Sequence, residues 1–361
     1  MTSLGFTQTS LADQLGVSRE SVSQWLKGVK VPRPAALLGL GKALALSFDD
    51  LVLQDKDMAS EPVLAYRTNR NKAPKEKDLQ AARDMAEGLQ VLTPYLPPAP
   101  IVSPMTFSEP SLEREFLSNA AAEIRRILSA TETAPLSLVK LVGQLVQQSI
   151  ILIPVLWGPN GHNGLHVRLP HERRTFIYLN LDKSWMDFRF WLLHEWAHVL
   201  APQLDKAEGE TFADALAAEV LYPGAVAKAF LDRNQGNGMA GAWISAIVAE
   251  ADSFEISPIT VKNRVGEYAA EHALSIPEPD IYGAVTNHLK TIPTVTEAIW
   301  KKTQPEVADY LSQSALVFQT PIFEALRRLI GDRSVGPSFI ERVLKVPFGD
   351  AGGVHGCLAG Q

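Results

Sequence analysis

Phe190-Trp191-Leu192-Leu193-His194-Glu195-Trp196-Ala197-His198-Val199-Leu200 is the stretch on which the fold and the chemistry of this chain turn. His194 and His198 stand four residues apart, so on a helix both imidazoles leave the same face. Two imidazoles so placed can share one zinc ion. Glu195 is rotated about 100° from His194 on that helix, which sets its carboxylate beside an attacking water and not on the metal. That is the position of a general base. Trp191, Leu192 and Leu193 demand burial, so the histidines must face a pocket within a packed domain.

A zinc site needs a third protein ligand. Pro202 ends the histidine helix, because proline cannot donate to the helical ladder. The spacing predicts a second helix from about residue 207, bearing Glu210 and, one turn on, Asp214. Glu210 is the expected ligand, and Asp214 is expected to orient a ligand histidine through its other ring nitrogen. Glu208 is the competitor, but four residues after it comes Phe212, which offers no such partner. The opposite face carries Phe212, Leu216 and Val220. Candidates for stabilising an oxyanion are His166, His171, Tyr178 and Tyr222.

Upstream of these helices the periodicity is that of strands. Residues 150–155 form a short apolar run, and residues 165–169 and 175–181 alternate. The last of these could pair with an extended substrate backbone. Before them come two amphipathic helical stretches, at residues 111–129 with Ser111 as the expected N-cap, and at 135–148. Downstream of Pro223 the pattern is mainly helical. Helices, a small sheet and more helices make a predominantly helical α+β fold.

Composition sets the outer limits. The 361 residues hold 34 Lys+Arg against 40 Asp+Glu, a formal net charge of −6, and 46% are hydrophobic. The chain can therefore bury real cores, and a globally basic binder is excluded. One cysteine, Cys357, excludes a disulfide scaffold and a cysteine-rich zinc finger. Neither a secretory leader nor a transmembrane span is read, so a soluble, cytoplasmic protein is expected. Prolines between residues 94 and 110 suggest an extended linker, and the glycines after residue 349 suggest a frayed tail.

The N-terminal block has its own logic. Residues 7–15 make a short amphipathic helix, Gly16 supplies a turn needing positive φ, and Ser18 can cap a second helix from Arg19. Two short helices across a glycine turn are the helix-turn-helix plan, whose second helix enters the major groove by its N-terminal end. That exposes Arg19, Glu20, Ser23 and Gln24 to base edges or phosphates. Gln8 and Ser18 sit at helix starts, where phosphates are anchored. Lys27, Lys30 and Arg33 flank the same surface, and DNA is the expected partner.

The segment TQTSLADQLGVSRESVSQWLKG with the following VPRP resembles the XRE/Cro-type helix-turn-helix family, although only six residues precede Thr7 where that family has a further helix. Residues 111–265 resemble the ImmA/IrrE family of metallo-endopeptidases. The resemblance rests on Phe190…HEWAH, on ETFADALAAEVLYP ending at Pro223, and on ISPITVKNRV at 256–265; Phe212 stands where that family has an acid. It implies a regulatory zinc protease that cleaves a repressor or an antitoxin-like partner, with an XRE-type domain in the same chain. The expected divisions are a helix-turn-helix domain (1–60), a basic segment and linker (61–110), a metallopeptidase domain (111–273) and a helical region (274–361). The last could sense a signal, recognise a substrate or form a homodimer. The rival reading is a non-enzymatic transcription regulator or toxin–antitoxin component, in which the zinc fold is structural or sensory.

Overall fold

The computed structural model describes residues 7–26, 32, 36, 39–40, 43, 63–65, 76–98, 105–131, 133–234, 236 and 239–360. The chain divides into two compact units, residues 1–61 and 62–361.

In the first unit, α1 (Gln8–Leu15) and α2 (Arg19–Leu26) follow from local signals. Thr7 caps α1 by accepting from the Ser10 N–H, and the Ser10 hydroxyl accepts in return from the Thr7 N–H. Gly16 ends α1 at φ 65°, a left-handed conformation that glycine adopts without Cβ strain. Ser18 accepts from the Ser21 N–H at 3.1 Å, as a cap for α2 should. Leu11, Ala12 and Val22 form a small core, with Trp25, Leu40 and Ala43 packed against it. A third helix, which Pro34 followed by Leu37, Leu38, Leu40 and Leu44 predicts from the sequence, lies largely outside the described residues.

The second unit is a predominantly helical α+β body around one four-stranded sheet. The strands are β1 (Val63–Ala65), β2 (Ile150–Val155), β3 (Gly164–Leu169) and β4 (Arg174–Asn180). Their order is β1-β3-β4-β2, with β2 parallel to β4 and β3 antiparallel to both β4 and β1. β4 is therefore internal, which overturns the expectation that it could pair with a substrate: its backbone is already committed on both sides. It is buried throughout, so its alternation separates two packed faces and not core from solvent.

On one face of the sheet lies α6 (Trp185–Leu200), which leads to α7 (Lys206–Leu221). On the other lie α3 (Glu76–Leu92) and α15 (Pro337–Leu344). α4 (Arg114–Ile127) packs on α7, and α5 (Leu138–Gln147) packs on β2. α4 starts two residues later than expected: Glu113 is its N-cap, and Ser111 accepts from the Glu113 N–H ahead of the helix. α8 (Gly224–Arg233), α9 (Ala240–Phe254) and α10 (Pro258–Glu271) follow α7, with α8 packed on α10.

Three stretches depart from the sequence reading. Residues 61–110, expected to be a basic segment and linker, contribute β1 and α3, and Met85, Ala86, Leu89 and Leu92 join the main core. Within the same stretch the Phe107 N–H donates to the Leu200 carbonyl, and its ring packs edge-on against Phe116 and Phe212. Residues 274–361 are part of the same compact unit. They hold α11 (Tyr282–Leu289), α12 (Val295–Trp300), α13 (Val307–Val317), α14 (Ile322–Arg333), α15 and α16 (Phe348–Ala359). The glycine-rich tail is helical because Ala351, Val354 and Leu358 recur at helical spacing and are buried; packing outweighs the low propensity of glycine.

Side chains from this C-terminal region hold the sheet. Tyr310 and Thr320 donate their hydroxyls to the carbonyls of Pro154 and Leu152 on β2. Tyr178 and Trp157 donate to the carbonyls of Val343 and Leu344, at 2.7 and 2.9 Å. Among the described residues no helix is long and apolar enough to cross a membrane.

Candidate metal centre

α6 is apolar on most of its surface, and His194 and Glu195 are buried within it. Ser184 caps its start, accepting from the Met186 N–H, and Pro202 follows its end. The turn is short. Asp205 then caps α7, accepting from Ala207 N–H and Glu208 N–H at 2.8 and 2.9 Å. This return lays α7 along α6 and brings Glu210 to the two histidines.

The Nε2 atoms of His194 and His198 are 3.2 Å apart. Glu210 Oε2 lies 3.6 Å from His194 Nε2, and Oε1 lies 3.6 Å from His198 Nε2. All three ligand atoms fall within 4.8 Å of one another. Tetrahedral zinc, with bonds of about 2.0–2.1 Å, separates its ligands by roughly 3.3–3.5 Å. The spacing and the His2Glu donor set therefore fit such an ion. Glu208 is exposed and is not part of the group. Asp214 Oδ1 sits 2.9 Å from His194 Nδ1, on the side of the ring away from the cluster. A carboxylate there favours the tautomer that leaves Nε2 free to bind metal.

Glu195 stands beside the cluster. Its Oε2 is 3.1 Å from His166 Nδ1, on β3, and both side chains are buried. The His166 ring also stacks on that of His198, with centroids 4.9 Å apart. Glu195 reaches this position over Gly164, where a Cβ would lie 3.0 Å from Glu195 Cγ and Oε1. Burial by itself would raise the Glu195 carboxyl, but the His166 hydrogen bond and the three nearby imidazoles outweigh it and hold the group below its ordinary value. Burial, with His166 adjacent, lowers His198 to about 3, so its imidazole is neutral, the form that binds metal. A cavity of about 170 Å³ opens against the cluster, between His166, Arg168, His198, Lys206 and Glu210.

Of the four oxyanion candidates only His166 reaches this centre. The Tyr222 hydroxyl donates to Glu250, Tyr178 is committed to Val343, and His171 lies in an exposed turn. The sequence reading named His166 without its partner. The available signal is a histidine on an alternating strand upstream of the HExxH helix, and only the folded structure shows that it meets Glu195.

The helix carrying Glu210 is clamped at its far end. Glu219 accepts from Arg114 Nη1 at 2.9 Å, from Arg264, and from the Gly224 N–H at 3.2 Å. Arg125 and Arg264 donate to the carbonyls of Val220 and Tyr222, so cations meet the negative end of the α7 dipole.

In the first unit, Ser18, Arg19 and Glu20 are exposed on the leading turn of α2, while Gln8, Ser23 and Gln24 are half-buried. Lys27 and Lys30 lie outside the described residues.

Residues 1–51 match the family model described as helix-turn-helix. The chain thus carries an N-terminal helix-turn-helix domain of the DNA-binding type. Neither the curated proteins nor the solved structures include a match to the chain.

Proposed function

We propose that this protein is a regulatory zinc-dependent metallo-endopeptidase joined to a DNA-binding helix-turn-helix domain. Its substrate is a peptide bond in a protein partner such as a repressor or an antitoxin-like regulator. The observation that carries the reading is the convergence of His194, His198 and Glu210, with Glu195 beside them and outside the ligand set. The similarity of HEWAH and ETFAD to the ImmA/IrrE family supports it and suggests the class of partner.

His194, His198 and Glu210 would hold the zinc, which when bound activates water and polarises a carbonyl. Glu195 accepts the proton of the attacking water on its carboxylate and returns it to the leaving amine. The His166 hydrogen bond fixes that carboxylate, and the Asp214 carboxylate lies 2.9 Å from the His194 ring nitrogen turned away from the metal ligands.

The test is cleavage of casein by the purified full chain, with Glu195→Gln alongside. The amide keeps the shape of Glu195 but cannot take the proton, so activity should fall by several orders while zinc is retained. Undiminished cleavage by Glu195→Gln would contradict the assignment. Zinc bound without cleavage by either protein would favour the rival reading of a structural or sensory site.

A further inference from the structure

We propose that β1 is a resident strand occupying the edge on which the substrate must pair, so that the protein inhibits itself until β1 leaves. The inference rests on the peptidase reading and concerns how that site is closed.

The geometry begins at β3, the strand bearing His166. His166 contacts both Glu195 and His198, so β3 borders the candidate centre. One edge of β3 is consumed by β4. The other is where an extended peptide could be added next to the cluster, bonding main chain to main chain. Residues 63–65 already lie there, antiparallel, with Ala65 opposite His166, Leu64 opposite Val167 and Val63 opposite Arg168. Each backbone N–H supplies one donor, so a second strand cannot use this edge while β1 holds it.

Two features mark β1 as displaceable. It has only three residues, at the short end of the range for strands, whereas β3 and β4 have six and seven. It also begins two residues beyond the boundary of the N-terminal unit, so it is the first element after the helix-turn-helix domain and lies far in sequence from its partner strand. The peptide it mimics is extended and apolar, Val63-Leu64-Ala65.

The experiment uses the full chain carrying Glu195→Gln, so that the probe is not cut. The probe is a fluorescein-labelled peptide with the sequence of residues 61–68, EPVLAYRT, followed by anisotropy. Ala65 lies opposite His166, whose backbone faces β1, so Ala65→Pro removes a ladder donor from β1 and should tighten probe binding at least tenfold over the parent. Leu64→Cys with Val167→Cys, in a Cys357→Ser background, should abolish binding when oxidised and recover it with reductant; this pair decides the matter if the proline variant does not fold. The same changes are then made with Glu195 intact and casein as substrate. Cleavage that rises with Ala65→Pro and stops in the oxidised lock supports self-inhibition. Probe binding that follows this pattern while casein stays uncut in every variant supports occupancy of the edge and removes the peptidase reading. Probe binding and casein cleavage that are equal in parent, proline and locked proteins overturn the proposal and leave the peptidase reading standing.

Discussion

Gly164 shows how finely the centre is fitted at the scale of a residue. It opens β3 directly over Glu195, and a methyl group there would press on Cγ, Oε1 and the Tyr178 carbonyl, at 3.0, 3.0 and 3.3 Å. The carbonyl belongs to the central strand and cannot retreat, so the Glu195 side chain must. Gly164→Ala should therefore displace the base from His166 and lower cleavage while leaving zinc content unchanged. Its overpacking cost is about 1–3 kcal/mol. Parallel assays of zinc content and turnover check this; loss of metal with turnover would place the damage elsewhere. The HExxH triad was legible from spacing alone because it lies within one helical turn. The His166–Glu195 contact was not, because it joins residues 29 apart through the register of a sheet.

Among the elements, α7 matters most, because it delivers Glu210 and Asp214. Its anchor is Glu219, whose side chain is 3% exposed and shared by Arg114 and the equally buried Arg264. Glu219→Ala would take one of two carboxylates from the buried Arg264 guanidinium, which keeps Glu267 and the Tyr222 carbonyl, so the loss should fall below the ~3–5 kcal/mol of a fully broken buried pair. Denaturant unfolding should show that loss, while removal of Glu123, whose partner Arg126 is on the surface, should leave the midpoint in place. The junction of α6 and α7 was legible to within a residue or two, since Pro202 and the apolar periodicity agree, and the Asp205 cap then fixes the start of α7. β1 and α16 were not legible: a three-residue strand carries no periodicity, and a glycine-rich helix is decided by what it packs on.

On the scale of the whole molecule, the chain joins a small helix-turn-helix unit to a large α+β body. Residues 62–361 form one unit by contact, and burial between its distant segments leaves no local trace in the sequence. DNA affinity should reside in the first unit and fall with salt as phosphate contacts are lost. Arg19→Ala should weaken a specific site by about 1–3 kcal/mol, and Lys30→Ala should weaken all sequences alike. Titrations at two ionic strengths check both, and a salt-independent affinity would contradict the DNA reading.

The central claim is that His194, His198 and Glu210 hold one zinc ion. Elemental analysis of the purified full chain, with Glu210→Ala and Glu208→Ala beside it, tests it most directly. The account predicts about one zinc per chain in the parent and in Glu208→Ala, and a sharp loss in Glu210→Ala. A metal-free parent, or zinc lost with Glu208 and kept without Glu210, would contradict it.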